Sequence, residues 1–228
     1  MPAVVFDYYE TLAELTVAMR LAVFDRLADQ LGSSLAPGEL GKRWMKLAAD
    51  RPVGPIDGPV PTFETFRSRW EVRADELMGD LGFSGAGPVL ARLYADLHAE
   101  AKLYPDAGPL IERSRERFGV GILSDADTDF LDASLGRSGL RVDAVLCSQE
   151  SASYKPHVAM FLSICERLEV PPDEVIYVGD DPVTDIEGAR RAGLRTVWVN
   201  RHRRAWAQGN SRRQTPKPQP CTRSIRLR

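Results

Sequence analysis

Apolar positions follow two rhythms along the chain. Ala3-Val4-Val5-Phe6 is an unbroken apolar run, the pattern of a strand buried on both faces, and it stops on Asp7. From Val17 the period becomes helical: Val17, Leu21, Phe24, Leu27, Ala28 and Leu31 recur at three and four residues, and Gly32 follows as a stop. A second helix is predicted from near Pro37, carrying Leu40, Trp44 and Leu47. Arg51 to Pro61 contains four prolines and two glycines and reads as a loop. Thr62 is the predicted N-cap of a longer helix with Phe63, Phe66, Trp70, Leu77 and Leu81, and another helix is predicted from Pro88 to Lys102.

From Tyr104 the pattern changes to helices alternating with short apolar strands. Strands are predicted at Val120–Leu123, Ala144–Leu146, Val175–Val178 and Thr196–Val199, separated by helices over Leu110–Phe118, from about Asp127, over Pro156–Leu168 and over Pro182–Ala192. Alternation of this kind implies right-handed crossovers and a parallel sheet with helices on both faces, an α/β fold. The helical block after the first strand is then an insertion. The expected division is a core of residues 1–12 and 103–206, a helical cap of 13–102 and a basic tail of 207–228.

Composition adds limits. At 228 residues, with 43% hydrophobic and 27% charged residues, the chain suits one domain with an insert. No apolar stretch has the length of a membrane span. The chain enters a strand directly, with no secretory signal visible, and Cys147, Cys165 and Cys221 have no metal-type spacing. A cytoplasmic protein with reduced thiols is expected. Nine of the 30 Lys and Arg residues fall after residue 200, where there is no Asp or Glu. The first 200 residues therefore carry 21 basic against 32 acidic residues, which argues against nucleic-acid binding by the body. The tail reads as a disordered, solvated extension, with weak polyanion binding as the alternative.

The candidate chemistry lies at strand ends, where open parallel sheets bind ligands. Asp7, Ser124 with Asp125, Ser148 with Lys155 nearby, and Asp180-Asp181 followed by Asp185 all sit there. Clustered carboxylates raise each other's pKa unless a cation lies among them, and a hard divalent ion such as Mg²⁺ suits an all-carboxylate set. With that cation Asp7 stays ionised and can attack a phosphoryl group. Lys155 and Mg²⁺ would offset the charge, while Thr11 and Ser124 hold oxygens.

Asp7-x-Tyr9-x-Thr11, Ser124, Lys155-Pro156 and Gly179-Asp180-Asp181-x-x-x-Asp185 resemble, in order, the four motifs of the haloacid dehalogenase (HAD) superfamily. The spacing resembles the subgroup with a helical cap between the first two motifs. The resemblance implies a Rossmann-like, doubly wound parallel core under a mobile cap, acting on a small-molecule substrate. It implies Asp7 as nucleophile, Thr11 and Ser124 as phosphate-binding hydroxyls and Lys155 as the neutralising lysine. For Mg²⁺ it implies Asp7, the Tyr9 backbone carbonyl and Asp180, with Asp181 or Asp185 assisting. For Asp185 the alternative is a carboxylate favoured by a helix dipole.

Tyr9 and, more mildly, Asp125, where the family often has Asn, depart from the phosphatase pattern. Tyr9 stands where family phosphatases carry a second Asp as general acid and base, and a Tyr with a pKa of about 10 is a poor base. Glu10 is expected to point away from Asp7 by strand alternation. Tyr9 resembles instead the 2-haloacid dehalogenases, which need no metal, whereas Gly179-Asp180-Asp181 resembles the Mg²⁺-dependent phosphatases. The expected function is therefore a Mg²⁺-dependent phosphatase, with a metal-independent dehalogenase or a weakly catalytic binding protein as alternatives. Arg20, Arg43, Trp44, Arg67, Arg69 and Trp70 are cap candidates for a substrate pocket or for helix surface and packing, and His98 and His157 are expected to be structural.

Overall fold

The computed structural model describes residues 1–48, 58–60 and 62–203. Most of the expected loop at 51–61, and all of the expected tail at 207–228, lie outside the described residues. The chain enters through strand β1 (Ala3–Phe6), turns at Asp7–Leu12 and forms the short strand β2 (Ala13–Glu14). Helices α1 (Val17–Gln30), α2 (Glu39–Ala48), α3 (Phe66–Asp80) and α4 (Gly87–Ala99) follow. Strand β3 (Lys102–Leu103) then runs back antiparallel to β2, and Tyr104 N–H donates to the Leu12 carbonyl at 2.8 Å. This two-stranded ribbon, absent from the sequence-based expectation, joins both ends of the helical insertion. Two-residue strands have too few positions for an alternating pattern to register.

The remainder alternates as expected: α5 (Ala107–Arg115), β4 (Gly119–Ser124), α6 (Thr128–Ser138), β5 (Ala144–Cys147), α7 (Ser148–Ser151), α8 (Val158–Leu168), β6 (Val175–Gly179), a π-helical segment Pro182–Glu187, α9 (Gly188–Arg191) and β7 (Arg195–Trp198). The sheet order is β5-β4-β1-β6-β7, and every pairing is parallel. β1 is therefore central, and Asp7 leaves the sheet between the ends of β4 and β6. Asp7 N–H extends that pairing by donating to the Val178 carbonyl at 2.8 Å.

Alternate residues of β1 serve two cores. Val4 and Phe6 pack with Ile111, Val120 and Phe130, while Ala3 and Val5 pack with Phe161, Ile164 and Tyr177 on the other face. The first core continues into the helical insertion through Phe24, Trp44, Trp70, Leu77 and Tyr94. Phe24 and Trp44 are fully buried, a burial that stabilises the fold by about 2–3 kcal/mol for each ring. Gly87 at the start of α4 lets that helix close on α3, since a Cβ there would lie 2.0 Å from an Asp75 carboxylate oxygen.

Helix α3 starts three residues later than its pattern predicts. Thr65, not Thr62, is the N-cap, accepting the Ser68 N–H at 3.1 Å. The reason is tertiary. The buried Asp127 carboxylate, from the turn before α6, accepts Phe66 N–H at 2.8 Å and Arg67 N–H at 2.7 Å. A core carboxylate thus satisfies the exposed donors of a cap helix and ties the two layers together. Asp127→Ala is expected to lower unfolding free energy by about 1–3 kcal/mol, with Asp127→Asn intermediate, measured by urea denaturation.

Candidate active site

The turn after β1 brings Asp7 and Thr11 together, and the Thr11 hydroxyl donates to Asp7 Oδ2 at 2.8 Å. Glu10 makes that turn possible by adopting a left-handed backbone at φ 65°. Strand alternation therefore does not govern where Glu10 points. Its carboxylate is held by Leu15 N–H at 2.5 Å and by the His202 ring at 2.7 Å, so it is engaged elsewhere and not against Asp7.

Lys155 reaches in from the loop before α8. Its ammonium donates to Asp7 Oδ1 and Asp185 Oδ1, each at 2.6 Å, and to the Tyr177 hydroxyl at 3.2 Å. The Lys155 backbone N–H is fixed by Asp125 Oδ1 at 3.0 Å, which gives Asp125 a positioning role. Asp185 receives Tyr177 O–H at 3.1 Å on the same oxygen, and the Asp180 and Asp181 N–H groups on the other at 3.0 and 2.9 Å. Gly179 admits this carboxylate, since a Cβ would lie 2.5 Å from Asp185 Cγ. The Asp180 carbonyl is held by the Trp198 indole N–H at 2.9 Å.

All three charged partners are buried: Asp7 and Lys155 are 4% exposed and Asp185 is 1%. Burial pushes the Asp7 carboxyl up to about 7, against the pull of the Lys155 cation, and the Asp185 charge adds to the rise. Burial alone would lower the Lys155 ammonium, but the Asp185 and Asp7 carboxylates override it and hold its pKa well above the usual value. Oxygens of Asp7, Asp180 and Asp185 lie within 4.8 Å of one another. This is a hard, all-carboxylate donor set of the kind Mg²⁺ takes.

Ser124, at the end of β4, faces the same cavity and has a buried hydroxyl with no hydrogen-bond partner among the described residues. An orphaned buried hydroxyl is the expected state of a group waiting for a substrate oxygen. Asp7, Thr11, Ser124, Lys155, Asp180 and Asp185 are thus brought together as the motifs implied. Asp181 is adjacent in the chain, and its Oδ1 caps the π-helical segment, accepting Val183 and Thr184 N–H at 2.8 Å. Ser148 is elsewhere in function: its hydroxyl accepts Ala126 N–H and donates to Ala126 O, locking the turn after β4.

Tyr9 lines the cavity and packs against the helical insertion. Its hydroxyl donates to the His98 carbonyl at 3.3 Å and its ring packs edge-on against Tyr8 and His98. Burial, then the nearby Tyr8 and Asp7 charges, raise its pKa further. Arg43 pairs with Glu39, Arg67 with Asp129, and Arg69 lies over the Tyr154 ring. Of the cap candidates, Arg20 and Trp70 line the cavity, which has a volume of about 730 Å³. His157 caps α8 through its ring, accepting Ala159 N–H at 3.2 Å.

Sequence reasoning missed Tyr177, whose only signal was a hydroxyl within an apolar strand. It also missed Arg201, counted with the basic residues after position 200. Arg201 donates to the Thr11 carbonyl at 2.7 and 3.0 Å, pairs with Asp106 at 3.0 Å and stacks on Tyr104 at 3.8 Å. It braces the Asp7–Thr11 turn from the far end of the core.

With this geometry in view, the comparisons are direct. The family described as haloacid dehalogenase-like hydrolase matches residues 1–193. The chain belongs to the haloacid dehalogenase-like hydrolases. (S)-2-haloacid dehalogenase 4A of Burkholderia cepacia is 34% identical over 208 residues, covering 87% of this chain and 83% of that protein. Phosphoserine phosphatase of Thermus thermophilus is 33% identical over 125 residues, 52% of this chain and 50% of that protein. The crystal structure of a defluorinating L-2-haloacid dehalogenase aligns with a TM-score of 0.73 at 19% identity, covering 90% of this chain and 86% of that one, a likeness of fold. The parallel sheet and the helical insertion are therefore those of a HAD-like hydrolase. Among the described residues, no helix is long and apolar enough to cross a membrane.

His98 gives this hydrolase a testable acid sensitivity. Its Nδ1–H donates to the Tyr94 carbonyl at 2.7 Å. Burial, then the nearby Arg20 charge, push its pKa down to about 3. Between that value and the unfolded value of about 6.5 only the unfolded chain binds the proton, so stability falls as pH falls. From pH 7 to pH 5 the His98 contribution to the loss is about 2 kcal/mol. Urea denaturation at both pH values is expected to show this loss in wild type and its absence in His98→Gln.

Proposed function

We propose that this HAD-like hydrolase is a Mg²⁺-dependent phosphatase of a small metabolite. The observation that carries the reading is the convergence of acids in the cavity: oxygens of Asp7, Asp180 and Asp185 lie within 4.8 Å of one another, and Lys155 contacts Asp7 and Asp185. Three carboxylates whose oxygens converge are a hard donor set that a divalent cation would take. Asp7 and Asp180 are the residues that would hold Mg²⁺. Asp185 serves mainly by fixing Lys155 and the Asp180-Asp181 backbone, and Asp181 by capping the segment behind them. When bound, Mg²⁺ would supply charge stabilisation for the transferring phosphoryl group.

In the proposed reaction an Asp7 oxygen attacks phosphorus and the ester P–O bond breaks, giving an aspartyl-phosphate and an alkoxide. Thr11, already bonded to Asp7, orients the attacking carboxylate, and the Ser124 hydroxyl receives a phosphoryl oxygen. Lys155 offsets charge on the nucleophile before attack and on the phosphoryl group after it. Tyr9 is committed to the His98 carbonyl, so the alkoxide takes its proton from solvent. Water then attacks phosphorus and frees Asp7. Lacking a positioned acid and base, turnover is expected to be about 10²–10⁴-fold slower than in a phosphatase that has one. Free, buried Cys147 and Cys165 support a reducing, cytoplasmic setting.

Tyr9, together with the long alignment to a 2-haloacid dehalogenase, favours a second reading. There Asp7 displaces halide from carbon and water cleaves the resulting ester, without metal. The test is product release from phosphate monoesters and 2-haloacids, with Mg²⁺ or with chelator. Phosphate release abolished by chelator supports the phosphatase; halide release indifferent to chelator overturns it.

A further inference from the structure

Beyond the acid cluster, the cavity wall is built by the helical insertion from Arg20, Met45, Phe66, Trp70, Tyr94 and His98. The rings are closely packed: Trp70 and Tyr94 centroids are 4.7 Å apart, and Trp70 and His98 are 5.1 Å apart. Arg20 brings a full positive charge to this mostly aromatic wall. Its Nε is buried and has no hydrogen-bond partner among the described residues. Among the described residues no carboxylate forms an ion pair with it, whereas Arg43, Arg67 and Arg201 each have one. A buried guanidinium N–H left without an acceptor costs free energy, and the fold retains it at the cavity rather than at the surface. His98 beside it is neutral, with its Nδ1–H given to Tyr94, and does not compete for an anion.

The geometry points to Arg20 as the specificity-determining residue of this site, receiving a carboxylate carried by the substrate. This deepens the phosphatase reading and rests on it for the other end of the molecule: the substrate class is phosphorylated carboxylic acids. A planar carboxylate matches the guanidinium fork and can take two parallel N–H donors. Its single charge also matches that of Arg20, the one cation among the described residues that the insertion gives the wall. A second phosphate dianion would leave uncompensated charge against aromatic rings. The phosphoryl end goes to Asp7, Thr11, Ser124 and Lys155, and a cavity of about 730 Å³ admits a small metabolite between the two ends.

The experiment is titration calorimetry on the full chain carrying Asp7→Asn, to prevent turnover, with Arg20, Arg20→Lys or Arg20→Gln. One probe pair is glycerate 3-phosphate against glycerol 3-phosphate. The other, which needs no phosphate site, is 3-phenylpropionate against 3-phenylpropionamide. The expected result is carboxylate preference of about 10- to 100-fold in both pairs with Arg20, reduced with Arg20→Lys and lost with Arg20→Gln. Far-ultraviolet circular dichroism melts confirm that each variant is folded. Arg20-dependent preference in the second pair, with neither phosphate binding, supports the carboxylate site and overturns the phosphatase reading instead. A preference unchanged by Arg20→Gln, no preference with Arg20 present, or no binding of any probe overturns the inference.

Discussion

Asp7→Asn is expected to reduce turnover by at least about 10⁴-fold while leaving the protein folded. Asparagine keeps the shape of the side chain but offers no anionic oxygen for attack. Its carbonyl can accept from Lys155 where Asp7 Oδ1 now does, at 2.6 Å, and its amide can donate to the Thr11 hydroxyl, which turns to accept. The substitution also removes one of two carboxylates that share Lys155 in a buried site. The like charge of Asp185 is part of what raises Asp7, so its removal relieves repulsion. Unchanged or raised stability together with lost turnover is the expected pair of results, read by urea denaturation and by product release. Unfolding of the variant would mean that Asp7 is held mainly as a structural partner of Lys155.

Lys155→Met is expected to have the largest effect on stability, about 3–5 kcal/mol. The side chain is buried, and its removal leaves Asp7 and Asp185 facing each other without the ammonium that now bonds both. Tyr177 also loses a partner at 3.2 Å. The sign of the pH response follows from the acid. With its cation gone, Asp7 binds a proton in the fold at pH values where the unfolded chain does not, so stability recovers as pH falls through its folded pKa. Adding Asp7→Asn to Lys155→Met removes one of the two stranded charges and is expected to restore part of the loss. A double mutant no more stable than Lys155→Met would contradict the ion-pair account. On the proposed mechanism Asp7 supplies the nucleophile, while Lys155 makes a buried Asp7 tolerable.

Much of this site was legible because each member stands beside a distinct local signal. Asp7 ends the apolar run Ala3–Phe6, Asp180 follows the run ending at Gly179, and Lys155 precedes Pro156 ahead of a helix. The ordered motifs then joined residues as distant as Lys155 and Asp7, 148 positions apart. What escaped was set by contacts between distant segments. The start of α3 depends on Asp127, 61 positions from Phe66, so Thr62 and Thr65 are indistinguishable locally. Arg201 reads as one more charge near a basic tail until its bonds to Thr11 and Asp106 are seen. The direction of Glu10 is set by its left-handed backbone and its bonds to Leu15 and His202, which strand alternation does not anticipate. Asp181 and Asp185 both read as metal acids in the motif, yet each accepts backbone N–H groups that shape the loop.

The measurement that bears most directly on the central claim is turnover in ¹⁸O-labelled water, followed by mass spectrometry of released product and of the Asp7 peptide. Hydrolysis of an aspartyl-phosphate at phosphorus sends the label into phosphate and leaves Asp7 unlabelled through many turnovers. That is the result this account predicts, with Mg²⁺ present. Label accumulating in the Asp7 carboxylate would mean that water attacks the side-chain carbon of an ester, and would contradict phosphoryl transfer in favour of carbon–halogen chemistry.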